Sequence, residues 1–278
     1  MDHTQAGRYW DDSADVWTKL ARAGYDVYRN HLNTPAFLAM LPEIKGLKGI
    51  DIGCGEGYNT RLLAERGTHM TAIDISETFV AHAQESEREN PLGITYQVAS
   101  AVELPFGNRL FDFATAFMSL MDVPETNHAL SEAYRVLKPG GFLQFSIAHP
   151  CFDTPHRRNL RDAEHRTYAI EVGDYFRNSD GEIDEWLFKA APAEVKRGMR
   201  KFRIPRFRRT LSEWLNILVE TGFELERVEE PRPTDETILA HPELQDAQVV
   251  SYFLHLRARR PENLSPFSLL GEGLGMRA

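Results

Sequence analysis

Short apolar runs alternate with amphipathic stretches between residues 48 and 148. The apolar runs have the length of buried strands, and the stretches between them carry apolar residues at helical spacing. Strands that alternate with helices at this interval favour right-handed crossovers and parallel pairing. The pattern therefore predicts an α/β fold with a mostly parallel sheet. The predicted strands are 48–52, 70–75, 94–99, 111–117 and 142–148, and the predicted helices are 59–66, 77–90 and 126–137.

This regular alternation is preceded by a segment of different character. Residues 9–41 are rich in aromatic side chains at partly helical spacing. Such a segment predicts a helical cap over a cleft. We therefore divide the first part of the chain into a cap at 1–44 and a core at 45–149.

The alternation also stops after the core, between residues 150 and 209. This segment predicts an inserted cover, partly extended at 167–172 and 183–188. Residues 210–260 are predicted to return to the core, and 261–278 to form a tail. The returning segment contains one predicted helix and two predicted strands, at 211–220, 223–228 and 249–256.

The composition is that of a globular protein, with 42% hydrophobic residues and a net charge of -9. An acidic chain argues against a general nucleic-acid-binding surface, because phosphates are bound by clustered basic side chains. One local exception is residues 196–209, which contain eight Lys or Arg residues and no acid. We interpret this basic run as a solvated edge of the cover, with a surface for RNA or an anionic substrate as the alternative.

The two cysteines, Cys54 and Cys151, form no C-x-x-C pair and no zinc-ligand spacing, so no metal site is expected. They favour a reducing compartment. No apolar run reaches the ~20 residues that span a bilayer, and residues 1–8 do not resemble a signal peptide. These features predict a cytoplasmic protein with no membrane partner.

Three glycines follow the first predicted strand and open the first predicted helix. Gly53, Gly55 and Gly57 allow the backbone to turn sharply and to approach a ligand closely. Asp74 ends the next strand, where a carboxylate can accept both hydroxyls of a ribose. Together they predict a nucleoside-binding site at the carboxyl ends of the strands.

The spacing G-x-G-x-G, with Asp51 two residues before the first glycine, resembles motif I of class I S-adenosylmethionine-dependent methyltransferases. Further stretches resemble that family in the same order, at 72–76, 99–106, 111–112, 117–119 and 132–141. The resemblance implies a Rossmann-like fold, whose seven-stranded and mostly parallel sheet has helices on both faces. It also implies that the chain binds S-adenosylmethionine and transfers its methyl group.

The resemblance further implies which residues bind the cofactor. The glycine loop is expected along its methionine part, with Asp51 ordering the loop and the ammonium group. Asp74 is expected at the ribose and Ile75 at the adenine, where Ser100 replaces the more usual Asp. The full set is Asp51, Gly53, Cys54, Gly55, Gly57, Asn59, Asp74, Ile75, Ser100, Ala101, Val102, Phe117 and Met118, with Tyr25 from the cap.

A hydroxyl or ammonium acceptor requires a base, and histidine has a suitable pKa. His149 is the first candidate, because it follows the fifth strand at the sheet edge where α/β proteins bind ligands. His31 and Tyr28 from the cap are the alternatives.

The acidic charge and the long cover favour a small-molecule acceptor over nucleic acid. The chain has no Asn-Pro-Pro-Tyr sequence after the fourth strand, which disfavours methylation of nucleobase or glutamine nitrogen, but O, N and C acceptors stay open. A non-catalytic S-adenosylmethionine-binding subunit is a further alternative. An NAD-dependent oxidoreductase is less favoured, because Tyr58 stands where its third glycine belongs. The sequence does not indicate an oligomeric state.

Overall fold

The computed structural model describes residues 1–262, which contain eleven strands and eight α-helices. The strands are β1 (Lys48–Ile52), β2 (His69–Asp74), β3 (Thr95–Val98), β4 (Phe111–Phe117), β5 (Leu137–Ala148), β6 (His156–Arg161), β7 (Thr167–Gly173), β8 (Glu182–Trp186), β9 (Phe202–Arg206), β10 (Glu224–Glu229) and β11 (Phe253–Arg259). The helices are α1 (His3–Arg22), α2 (Thr34–Met40), α3 (Tyr58–Ala64), α4 (Glu77–Glu89), α5 (Thr126–Val136), α6 (Ala193–Lys196), α7 (Leu211–Thr221) and α8 (Asp235–Ala240). A π-helical turn, Arg29–Asn33, precedes α2, and 3-10 turns span Leu120–Asp122 and Pro242–Gln248.

Seven strands form one sheet in the order β10-β11-β5-β4-β1-β2-β3. Strands β1 to β5 pair in parallel, whereas β11 runs antiparallel to both β5 and β10. The prediction of a seven-stranded, mostly parallel sheet is confirmed. The central strands β1 and β4 are buried along most of their length because both of their faces are covered.

The two faces of the sheet carry different helices. Side chains of α2, α3 and α4 form one core with Met70, Phe113 and Phe142, and side chains of α5 and α7 form the other. The first core is tight at Gly49, where a Cβ atom would lie 2.3 Å from the ring of Phe113. This glycine in β1 therefore serves packing against β4.

The cap and the cover pack against each other. Helix α1 begins with a capping box formed by Asp2 and Gln5 and contacts the antiparallel β8–β9 hairpin. Trp17 of α1 lies in an aromatic cluster, with ring centroids 5.4 Å from Trp186 and 4.8 Å from Phe202. We call α1, the turn Arg29–Asn33 and the two hairpins β6–β7 and β8–β9 the lid. The sequence predicted its two parts but not this contact between them.

Several boundaries differ from the predicted ones. The extended stretches predicted in the cover are β7 and β8, and their partners β6 and β9 were not predicted. The last strand begins at 253 instead of 249, because the chain from Pro242 forms a 3-10 turn. Of the predicted tail at 261–278, only 261–262 belong to the described residues.

Part of the basic run is neutralised by acids of the lid. Arg200, Arg203 and Arg206 pair with Asp12, Glu185 and Asp184 at 3.5, 3.3 and 2.8 Å. Arg209 donates to the carbonyls of Val123 and Pro124. The run is therefore only partly a solvated edge, because Phe202–Arg206 form strand β9 and Arg209 contacts the segment that follows β4.

Candidate active site

A cavity of about 960 Å³ lies between the sheet edge and the lid. The last residues of β1, β2, β4 and β5 all line it, as expected for a ligand site at the carboxyl ends of parallel strands. These residues are Ile52, Asp74, Phe117 and Ala148. The volume is near the upper end of the roughly 300–1,000 Å³ typical of ligand pockets.

The glycine loop forms one wall of this cavity. Gly53, Gly55 and Gly57 have φ of 75°, 54° and 87°, a region that L-residues rarely adopt. The amides of Gly53 and Cys54 donate to the carbonyl of Ile73, at 2.8 and 2.9 Å, and so fix the loop to β2. A Cβ atom on Gly55 would meet no protein atom within 4 Å, so the loop leaves open space beside its backbone.

Asp74 is buried at the end of β2 and holds the loop. Its Oδ2 accepts the amide of Gly55 at 2.8 Å, and its Oδ1 accepts the amide of Ser76 at 2.9 Å. Burial raises the pKa of Asp74, and these two amides oppose that effect. Each carboxylate oxygen has a further lone pair, so Asp74 can also accept ligand hydroxyls.

Asp51 is buried in β1 and lines the same cavity. It accepts the hydroxyls of Thr60 in α3, at 2.5 Å, and Thr115 in β4, at 2.8 Å. Burial raises the pKa of Asp51 to about 6, although these hydroxyls stabilise the charged form. The carboxylate thus joins β1 to its neighbours, through two threonines that the sequence analysis did not identify.

Only some of the residues predicted to bind the cofactor line the cavity. Ile75, Ser100 and Ala101 line the cavity, whereas Val102 and Gly57 do not. Gly57 instead serves packing, because a Cβ atom there would lie 2.7 Å from the Tyr96 hydroxyl. The other predicted cofactor residues in the cavity wall are Cys54, Asn59, Phe117, Met118 and Tyr25.

The lid is fixed to the glycine loop by an ion pair that the sequence analysis missed. Arg29 donates to Glu56 at 2.8 Å, and its guanidinium lies 4.1 Å from the ring centroid of Tyr58. Both Arg29 and Glu56 line the cavity. Glu56 lies inside the glycine motif, so an acid at a buried turn was the available signal for a cationic partner.

The structure does not place His149 in the cavity wall. Its Nε2 lies 2.7 Å from a carboxylate oxygen of Glu230, and its Nδ1 accepts the amide of Cys151 at 3.2 Å. Both ring nitrogens therefore have partners within the protein. The base role of His149 stays a prediction from the sequence, which these contacts do not support.

Neither alternative from the cap presents a free base to the cavity. His31 stacks on His241 with ring centroids 3.6 Å apart and does not line the cavity. Tyr28 lines the cavity, but its hydroxyl donates to the carbonyl of Glu243 at 3.0 Å. Burial raises the pKa of Tyr28, which keeps the phenol protonated.

The residues at the loop end of the cavity fit S-adenosylmethionine. S-adenosylmethionine carries a cationic ammonium and a cationic sulfonium. Two buried carboxylates of opposite charge, Asp51 and Asp74, lie in the same wall of the cavity. The open space beside Gly55 leaves room for a ligand against the loop backbone.

Comparisons with known proteins also point to methyltransferases. Residues 50–145 match a methyltransferase domain family. An S-adenosylmethionine-dependent methyltransferase from Mesorhizobium loti is similar in structure, with a TM-score of 0.65 and 32% identity, over 81% of this chain and 96% of that one. A second solved structure, from Listeria monocytogenes, has a TM-score of 0.66 and 23% identity, over 83% of this chain and 97% of that one, and supports the fold alone.

Curated relatives match a shorter part of the chain. A protein from Coxiella burnetii named ubiquinone biosynthesis O-methyltransferase is 28% identical over 155 residues, which are 55% of this chain. A demethylmenaquinone methyltransferase from Listeria welshimeri is 32% identical over 152 residues, which are 51% of this chain. The chain spans 64% and 61% of the length of these relatives.

The sheet order, the glycine loop and the acid at the end of β2 define a Rossmann-like protein of the class I methyltransferase type. Within this class, the similarity to the Mesorhizobium loti protein, at 32% identity over 96% of that protein, identifies the family. The chain belongs to the S-adenosylmethionine-dependent methyltransferases, and S-adenosylmethionine is its cofactor.

Proposed function

We propose that the protein transfers a methyl group from S-adenosylmethionine to a small molecule enclosed beneath the lid. The main support for this proposal is that one continuous cavity reaches from Gly55 and Asp74 to the aromatic lining of the lid. Its volume of about 960 Å³ accommodates a cofactor and an acceptor together.

In this proposal the loop end of the cavity binds the cofactor, and the lid end binds the acceptor. Asp74 would hold the ribose, Ile75 and Ser100 the adenine, and the loop at Gly53 the methionine part. When bound, S-adenosylmethionine supplies an electrophilic methyl group on sulfur. The remaining task of the protein is to orient the acceptor and to exclude water, and the lid does both.

The lining of the lid favours an apolar aromatic acceptor. Aromatic rings from the cover and from the start of β11 line the cavity, as does Met118. These rings are Phe152, Trp186, Phe188, Tyr252 and Phe253. Two curated relatives are named for quinone biosynthesis or a menaquinone precursor, which agrees with an acceptor of this kind. An RNA acceptor is less favoured, because at least three of the eight cations in the basic run pair with acids of the lid.

Among residues 1–262, no helix is both long and apolar enough to cross a bilayer. The cytoplasmic location stays a prediction from the sequence, and we retain it as part of the proposal.

Calorimetric titration with S-adenosylmethionine tests the cofactor site. Asp74→Asn is expected to weaken binding by roughly 10- to 100-fold, because it removes charge-assisted hydrogen bonds. Asp180→Asn, an exposed acid in the cover, is the control with the same charge change and should bind as the original protein does. NADH should not compete. Preference for NADH, or equal binding by Asp74→Asn, would contradict the site assignment.

The affinity for S-adenosylmethionine is also expected to depend on pH. The pKa of Asp51 is raised to about 6, so below that pH this carboxyl is mostly neutral and attracts the cationic ligand less. Affinity should therefore increase as the pH rises from 5 to 7. Asp51→Asn should flatten this dependence, and calorimetry of both proteins at three pH values measures it. A parallel increase in both proteins would exclude Asp51 as its source.

A further inference from the structure

Asp122 is a buried acid with an unused oxygen in the cavity wall. It ends the 3-10 turn that follows β4, and only 7% of the residue is exposed. It lines the cavity, and its Oδ1 is buried without a hydrogen-bond partner among the described residues. A buried carboxyl without a partner is costly, so its presence in a ligand cavity indicates a partner supplied by the ligand.

The charged groups around Asp122 come from several elements. Arg206 of β9 and Asp153 after β5 line the same cavity, and Asp184 of β8 pairs with Arg206. Arg209 donates to the carbonyl of Val123, directly after Asp122, and Glu125 before α5 pairs with His3 at 3.2 Å. These groups leave Asp122 without an ion pair within the described part of the chain. Burial raises the pKa of Asp122 to about 7, which Arg206 opposes and Asp153 and Asp184 reinforce.

Four other candidate bases are already engaged in contacts within the protein. Asp51 accepts two threonine hydroxyls, and Asp74 accepts two backbone amides. The ring nitrogens of His149 both have partners, and the hydroxyl of Tyr28 donates to a carbonyl. Asp122 is therefore the carboxyl in this wall that combines deep burial with an unpartnered oxygen.

We propose that Asp122 is the base that takes the proton of the acceptor, and that the acceptor group is a hydroxyl on a small aromatic molecule. This inference rests on the proposed function and names its substrate class. In the step, the acceptor O–H bond breaks and its proton passes to the Asp122 carboxylate. The oxygen forms the new O–C bond with its electron pair, while the pair of the broken C–S bond remains on sulfur. A base with a pKa near the working pH suits this transfer.

The test uses catechol and 3,4-dihydroxybenzoate as probes, with methyl-labelled S-adenosylmethionine as donor. The proteins compared are the original chain, Asp122→Asn, Asp122→Glu and the control Asp180→Asn. Asp122→Asn is expected to lower kcat on a methylated probe by about 100-fold or more. Its Kd for S-adenosylmethionine should stay within about threefold, and Asp122→Glu should recover part of the rate.

The pH profile separates a base from a structural residue. In the original chain, kcat should rise as the pH increases through about 7, because the charged form of Asp122 accepts the proton. This rise should be absent from the residual rate of Asp122→Asn.

Two outcomes would overturn the inference while leaving the proposed function intact. In one, Asp122→Asn methylates a probe at a rate within about threefold of the original chain. In the other, the original chain binds S-adenosylmethionine but methylates neither hydroxyl probe. Failure of the original chain to bind S-adenosylmethionine would instead overturn the proposed function, and this inference with it.

Discussion

Gly53→Ala is expected to weaken S-adenosylmethionine binding by roughly 100-fold and to destabilise the fold. A Cβ atom on Gly53 would lie 2.4 Å from Cβ and 2.8 Å from Oγ of Ser119. Ser119 cannot turn away easily, because its hydroxyl donates to the carbonyl of Ile52 at 2.6 Å. The loop must therefore shift, and displacement of a binding element by about 1 Å can cost a factor of 10² in function.

Backbone strain adds to this steric conflict. Gly53 has φ of 75°, which costs a non-glycine residue about 1–3 kcal/mol. Overpacking adds roughly 1–3 kcal/mol to the loss in unfolding free energy. Calorimetry measures the Kd for S-adenosylmethionine, and urea unfolding measures the stability.

Gly46→Ala is the matched control for this substitution. Gly46 has φ of 77°, close to that of Gly53, but a Cβ atom there would meet no protein atom within 4 Å. Gly46→Ala should reproduce the backbone strain without the steric conflict, and the affinity for S-adenosylmethionine should not change. Equal effects of the two substitutions would show that strain alone matters and that contact with Ser119 does not.

The core of the fold was predictable because its signals are local. Each strand and helix of residues 48–148 has its own periodicity, and Gly53, Gly55 and Asp74 lie within one short stretch of chain. The prediction of the sheet was correct for this reason. Strand β9 was missed although Phe202 and Ile204 alternate with Arg203 and are fully buried, because the surrounding charges suggested a solvated edge.

The acceptor end of the cavity was not predictable in the same way. Asp122, Arg206 and Tyr252 are far apart in sequence and come together only when the lid packs on the sheet edge. His149 illustrates the limit. Its position after β5 was correctly inferred, but the direction of its ring depends on a turn and on Glu230, which no local pattern indicates. Burial and unused hydrogen-bonding capacity, which identify Asp122, are properties of the folded chain alone.

The contact between Arg29 and Glu56 is expected to control closure of the lid. Glu56 is 6% exposed, and besides Arg29 its cationic neighbour is Arg22, at 4.0 Å. Removing one member of a buried ion pair typically costs about 3–5 kcal/mol, because the other charge remains buried. Arg29→Met should therefore lower the unfolding free energy by roughly 3 kcal/mol and weaken S-adenosylmethionine binding, since the same pair lines the cavity.

A double-mutant cycle separates the pair from its surroundings. Glu56→Gln combined with Arg29→Met should cost less than the sum of the two single changes, by about 1–3 kcal/mol, because the double variant no longer leaves the Glu56 charge without Arg29. Asp26, which lies 3.7 Å from Arg29, loses this partner in Arg29→Met and in the double variant alike, so its contribution cancels in the cycle. Arg200→Met is the control on the same lid, since Arg200 and Asp12 form an ion pair at 3.5 Å with both side chains 59% exposed. Its cost should be below about 1 kcal/mol. Additive costs for Arg29 and Glu56 would mean that the two side chains do not stabilise each other, and this ion pair would then not hold the lid on the glycine loop.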